Sequence, residues 1–268
     1  MERLQAAIEK ARIQRASTRP ATPQSSVSKS APANIWTELP ELIVDEKALV
    51  KKRVFFGGSS LEASYFDKLR TKILQLCSDN GWTRIVITSP TKGCGKTTTS
   101  CNLAASFSRQ RDRKLMLFDM DMRRPEMART LGMDPGAGFS DVLEGKAEIE
   151  NVAKRLKSNV VIAANLGPHP NPAQLILQDQ TPQILDEIQA RYSPDIMLFD
   201  APPLMATDET SAMLKFMDCA ILVAAAEMTT MDQVDTCEKE IAEQTNVLGV
   251  VLNRCNYLDP SEKYGYRY

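Results

Sequence analysis

An α/β fold built on a mostly parallel sheet is predicted by three features. Short apolar runs recur from residue 84 onward, helical stretches separate them, and a glycine-bearing loop joins the first run to a helix. The runs cover residues 84–88, 114–119, 159–163, 195–200, 219–225 and 247–252. Ile85-Val-Ile and Leu115-Met-Leu-Phe are continuous rather than alternating, as strands covered on both faces require. Helices are expected at 97–110, 182–192 and 231–245, flanking the sheet. No internal repeat is present.

Residues 1–16 carry a thin helical pattern in which Leu4, Ala7, Ile8 and Ala11 share a face with basic residues elsewhere. Residues 17–34 are rich in Ser, Thr, Pro and Ala, the composition of a flexible linker. The expectation for 1–34 is a disordered N-terminal segment. Its short basic amphipathic helix reads either as a docking or membrane-surface helix or as a loose terminus. Residues 35–256 are expected to form the ordered domain. It opens with a helix over 60–78, where Leu61, Tyr65, Leu69, Ile73 and Leu76 recur at helical spacing.

The chain has 268 residues, 43% apolar, with a formal net charge of -1. That size supports a large core, and bulk charge gives no footprint for nucleic acid. No apolar run reaches the roughly 18 residues of a membrane span, and the start lacks a signal-peptide core. A cytoplasmic protein, peripheral to the inner face of the membrane through a partner, is expected. Six cysteines without a C-x-x-C pair, and a single histidine, point to reduced thiols rather than zinc.

Ser89-Pro-Thr-Lys-Gly-Cys-Gly-Lys-Thr-Thr follows the first strand and opens a helix. It meets G-x-x-x-x-G-K-[ST] at Gly95, Lys96 and Thr97, with Pro90 in place of the first glycine. Glycines let successive N–H groups curl around a phosphate, and the helix adds its positive N-terminus. The nucleotide-binding residues are therefore Thr91, Lys92, Gly93, Cys94, Gly95, Lys96, Thr97 and Thr98, in a P-loop NTPase fold. Lys96 would reach the β- and γ-phosphates, and Thr97 would ligate Mg²⁺. A chance glycine turn before Lys-Thr would lack this strand–loop–helix context.

Two strand tips carry acids. Asp119 and Asp121 lie two apart, which in an extended segment turns both the same way. Asp200 ends an apolar strand before Ala-Pro-Pro. Three carboxylates beside a P-loop would call for a cation, and the Mg²⁺ carried by ATP supplies one. The plainer alternative, a cap or turn former, fits Asp208 in Thr207-Asp-Glu-Thr better than Asp200.

With those residues in view, the chain resembles the bacterial tyrosine kinases of exopolysaccharide and capsule systems. The loop, Phe118-Asp-Met-Asp-Met-Arg-Arg-Pro and Leu198-Phe-Asp-Ala-Pro-Pro are similar to that family's deviant Walker A, A′ and B motifs. Gly138-Phe-Ser-Asp-Val-Leu-Glu-Gly and Asn171-Pro-Ala-Gln-Leu match further stretches, so the resemblance spans about residues 58–268. It implies transfer of the γ-phosphate of ATP to tyrosines at the C-terminus, and a membrane-spanning polysaccharide co-polymerase on a separate chain as activator. It also implies self-association into a ring or dimer, and an opposing tyrosine phosphatase. By motif, Lys96, Asp119, Asp121 and Asp200 become the catalytic set, with Asp121 as the base. Thr97, Asp119 and Asp200 become the metal set. The phosphoacceptors become Tyr257, Tyr264, Tyr266 and Tyr268 in the tyrosine-rich tail, 257–268. Lys92, Arg123 and Arg124 would add charge at the γ-phosphate, the arginines reading equally well as surface ion pairs.

Two departures stand out. The family's E-x-x-R-x-x-R ring motif falls on Ser64, Asp67 and Arg70, and the basic residues after the fifth expected strand are replaced by Ala225 and Met228. They keep open a P-loop ATPase switch without kinase activity, acting on a membrane partner. A ParA- or MinD-like positioning ATPase is a third possibility, against which the neutral charge and the A′ motif argue.

Overall fold

In a computed structural model, the described residues are 35–58, 60–134 and 136–255. The expectations for residues 1–34 and for the tail 257–268 lie outside them. Seven strands form one sheet: β1 (Arg84–Thr88), β2 (Leu115–Asp119), β3 (Lys154–Leu156), β4 (Val160–Ala163), β5 (Ile196–Asp200), β6 (Cys219–Ala225) and β7 (Asn246–Asn253). Their order is β3-β4-β2-β5-β1-β6-β7. All pair parallel except β3, which runs antiparallel to β4 at one edge.

Alternate strand residues enter two separate cores, one on each face. Val86, Met116, Phe118, Met197 and Phe199 pack on one side; Ile85, Ile87, Leu115, Leu117 and Leu198 pack on the other. This is why the strands read as continuous apolar runs. In chain order the helices are α1 (Ile35–Glu38), α2 (Glu46–Lys51), α3 (Leu61–Asn80), α4 (Lys96–Ser108), α5 (Met127–Leu131), α6 (Phe139–Leu143), α7 (Ile149–Val152), α8 (Pro172–Ile176), α9 (Gln180–Tyr192), α10 (Glu209–Leu214) and α11 (Met231–Ala242). Helices α2–α5 cover the second face; α1 and α6–α11 cover the first.

Local sequence explains the ends. The Ser60 hydroxyl accepts from the Ala63 N–H and starts α3, while Thr230 and Gln233 exchange capping bonds at α11. The expected boundaries shift by one to three residues: α4 ends at Ser108 rather than 110, and α11 at Ala242 rather than 245. β3 was not expected from the sequence. Its three residues are mostly half-exposed and charged, so no apolar run marks it. Asp208 does precede α10, but its side chain makes no capping bond.

An aromatic stack sets up the site. Phe118 and Phe199 are register partners on β2 and β5 with ring centroids 5.0 Å apart, and Phe139 closes on Phe118 at 4.8 Å. Truncating one such buried ring costs about 3–5 kcal/mol. The next residue on each strand is an acid, so the same register places Asp119 beside Asp200.

Candidate nucleotide site

The carboxyl ends of β1, β2 and β5 open into a cleft of about 470 Å³. Lys92, Gly93, Gly95, Lys96, Thr97 and Thr98 line its floor, and Asp121, Arg123 and Arg124 line one wall. Pro202, Pro203 and Thr207 line another, and Arg254 comes in from the end of β7. A crevice at strand ends where the chain switches direction is where open α/β sheets bind ligands.

The loop adopts the form its glycines allow. Gly93 and Gly95 have φ of +80° and +91°, and a Cβ on Gly95 would fall 2.1 Å from the Asn253 amide nitrogen. That amide donates to the Cys94 carbonyl at 2.8 Å, tying the loop to β7. Cys94 is fully buried beneath the loop, bonded to the Thr91 carbonyl at 3.2 Å. Burial pushes its thiol up, but bonds with Thr229, Thr91 and Ser89 outweigh it and leave the pKa lowered. Thr91 and Cys94 thus shape the loop from behind, while Lys92, Gly93 and Gly95–Thr98 face the cleft. Pro90 and Ser89 accept backbone bonds from Met205 and Leu204, so the loop also leans on the segment after β5. That segment is fixed in turn by Thr88 and Thr210, whose hydroxyls both donate to the Pro202 carbonyl.

The acids divide into two groups. Asp119 and Asp200 are buried, and one oxygen of each, Oδ2, has no hydrogen-bond partner. Ser100 Oγ, on the α4 turn after Lys96, donates to Asp200 Oδ1 at 3.2 Å. Desolvation raises the Asp200 pKa to about 6, against the pull of Lys96 and the Thr97 and Ser100 hydroxyls. Desolvation also holds Asp119 well above its usual range, reinforced by the charges of Asp200 and Asp121. Asp121 is part-exposed in the cleft and raised by burial, with Lys96 opposing.

The expected shared orientation of Asp119 and Asp121 therefore does not hold. The strand ends at Asp119; the chain then turns, the Asp121 N–H bonding Asp119 Oδ1 and the Arg124 N–H bonding Asp121 Oδ1. Nor do the three carboxylates form a ready-made metal cage: among the described residues no cluster of three or more His, Cys, Asp or Glu side chains is placed to ligate an ion. The arrangement still fits Mg²⁺ brought in by a nucleotide. Two buried carboxylate oxygens, Asp119 Oδ2 and Asp200 Oδ2, have no hydrogen-bond partner, and Mg²⁺ takes few protein ligands and completes its shell with phosphates and water.

Ser100, Asn253, Arg254 and Glu209 also belong to the site and were not picked out from the sequence. The three-residue spacing of Thr97 and Ser100 on one helix face was a usable signal for Ser100. Glu209 had none, since it sits in a segment that reads as a helix start. Arg123 makes a 2.5 Å ion pair with it. Asp67, in the ring-motif position, faces inward: it binds Arg70 at 3.1 Å and Arg109 at 2.5 Å, and accepts from Ser106.

The comparisons with known proteins agree with this geometry. Residues 85–263 match the family model described as the CobQ/CobB/MinD/ParA nucleotide binding domain. EpsB of Ralstonia nicotianae is 33% identical over 202 residues, 74% of this chain and 26% of that protein. Tyrosine-protein kinase YwqD of Bacillus subtilis is 28% identical over 209 residues, 77% of this chain and 86% of that protein. The chain belongs to the bacterial tyrosine-kinase branch of this nucleotide-binding family. The solved kinase domain of Escherichia coli tyrosine kinase ETK shares its fold, with a TM-score of 0.67 and 23% identity over 94% of this chain and 89% of that one. The chain spans about a quarter of the length of EpsB. As a family member it carries a nucleotide-binding P-loop domain. Among the described residues no helix is long and apolar enough to cross a membrane.

Proposed function

We propose that this protein is an ATP- and Mg²⁺-dependent tyrosine autokinase that acts on its own tail. The observation that carries the proposal is the cleft itself: a glycine loop, Lys96 and the A′ carboxylate Asp121 line one opening of about 470 Å³. Lys96 would hold the β/γ-phosphates. Thr97 and Asp200 would hold the metal directly or through water, with Asp119 behind Asp200 supporting it. Bound Mg²⁺ would draw charge from the phosphates as the bond to the leaving oxygen weakens. Asp121, the one part-exposed carboxylate of the three, would take the proton of a tyrosine hydroxyl, whose ordinary pKa is near 10. Most of the acceleration would come from alignment and charge neutralisation. Tyr257, Tyr264, Tyr266 and Tyr268 are the proposed acceptors, since four of the chain's six tyrosines cluster in its last twelve residues.

The membrane-spanning co-polymerase partner, the opposing phosphatase and a role in exopolysaccharide chain length or export are part of the same proposal. They rest on the kinship with the kinase branch. So does a location at the inner membrane face. One observation favours the second reading, a nucleotide switch without kinase activity: Asp67 and Arg70 are spent on bonds within the chain rather than offered to a neighbour. Incubation with γ-labelled ATP, alone and with the partner's cytoplasmic segment, followed by peptide mapping, separates the two. Label on the tail tyrosines supports the kinase. Nucleotide binding without label under both conditions leaves the switch.

A further inference from the structure

Glu209 opens α10 with 1% of its side chain exposed, yet it is an acid. Its ion-pair partner is Arg123, whose Nε donates to Oε1 at 2.5 Å, while Oε2 is buried with no partner. A carboxylate sealed from water this way is tolerated only when a cation stays with it. Arg123 is the opposite case: its side chain is 52% exposed and it lines the nucleotide cleft. With Nε committed, the two terminal nitrogens of its guanidinium remain, and no acceptor among the described residues takes them.

We propose that Glu209 is a positioning residue that holds Arg123 by one edge so that the other edge of its guanidinium receives the terminal phosphate of ATP. A guanidinium is a flat fork: anchoring one edge fixes the direction of the rest and suits two-point recognition of an oxyanion. A free, half-exposed arginine would have to lose rotamer freedom on every encounter with nucleotide; the buried carboxylate removes that loss in advance. The terminal phosphate is the chosen ligand because Arg123 shares its cleft with Lys96 and the glycine loop, which in the proposed function would cradle the phosphate chain.

The inference rests on nucleotide binding for its affinity arm, and on the proposed phosphoryl transfer only for its rate arm. The affinity arm compares binding of Mg²⁺-ADP and the Mg²⁺ complex of the β,γ-imido analogue of ATP. It uses the full chain, Glu209→Gln, Arg123→Ala, Arg123→Lys and the Glu209→Gln/Arg123→Ala double variant. The wild type should prefer the triphosphate. Arg123→Ala should lose about tenfold of that preference, the worth of a charge-assisted bond. Glu209→Gln should lose several-fold, add nothing in the Arg123→Ala background, and leave ADP affinity within about twofold. Arg123→Lys, which keeps the charge without the fork, should behave like the alanine variant; being surface-exposed, it tests the proposal even if Glu209→Gln folds poorly. The proposal is overturned by an undiminished triphosphate preference in Glu209→Gln or Arg123→Lys, by equal losses for ADP and analogue, or by no preference in the wild type. In the rate arm Glu209→Gln should lower kcat with KM little changed. A wild type that binds nucleotide but transfers no phosphate sinks the kinase proposal and leaves the affinity comparison able to decide this one.

Discussion

Replacing Asp200 by Asn should make the nucleotide-free protein more stable while disabling it. Asp200 is buried, and its pKa moves from an ordinary 3.8 to about 6, because desolvation outweighs Lys96 and two hydroxyls. Each tenfold change in proton affinity is worth about 1.4 kcal/mol, so ionised Asp200 costs the fold ~3 kcal/mol above pH 6. The sign follows from proton counting. Between about pH 4 and 6 the folded chain keeps a proton that the unfolded chain has released, so stability falls as pH rises through that window and then levels off. The amide has no such loss, and its N–H can donate to Asp119, its register partner. The attraction to Lys96 is already contained in that shift, so the net gain at pH 8 should be ~3 kcal/mol, or about 6–12 °C in Tm for a chain of this size. The assay is thermal unfolding in EDTA at pH 5 and pH 8, with the gap wider by ~1 kcal/mol at pH 8. Saturating Mg²⁺-ADP should then raise the wild-type Tm and leave the variant's almost unmoved. A variant less stable than wild type at pH 8, or a gap equal at the two pH values, would refute the electrostatic reasoning.

Two further substitutions probe the cradle. Gly95→Ala combines a left-handed φ of +91° with a Cβ 2.1 Å from Asn253. It should lower nucleotide affinity at least tenfold and destabilise the chain by ~1–3 kcal/mol, read by calorimetry and denaturant unfolding; near-normal affinity would show that the loop relaxes freely. Lys96→Met keeps the stem of a side chain only 7% exposed. It should leave the fold intact but less stable at pH 8, because buried Asp200 loses its neighbouring cation, and it should remove nucleotide-dependent activity; retained transfer would displace Lys96 from the site.

Most of the scaffold was legible in the sequence for one physical reason: strands buried on both faces must be apolar throughout. The loop was legible because phosphate binding by backbone needs glycines at fixed offsets. β3 was hidden because a short, half-exposed edge strand obeys neither pattern. The split between Asp119 and Asp121 was hidden because spacing predicts orientation only while the chain stays extended, and here it turns immediately after β2. Glu209 and Asn253 were hidden because their parts depend on partners 86 and 159 residues away in the chain.

Intact-mass measurement of the purified chain before and after Mg²⁺-ATP, beside Asp200→Asn and a chain ending at Asn256, tests autokinase action most directly. Autokinase action on the tail predicts added mass in steps of about 80 Da, one per phosphoryl group, in the wild type alone. No added mass in the wild type, even with the cytoplasmic segment of the proposed membrane partner, or equal addition to the shortened chain, would contradict it.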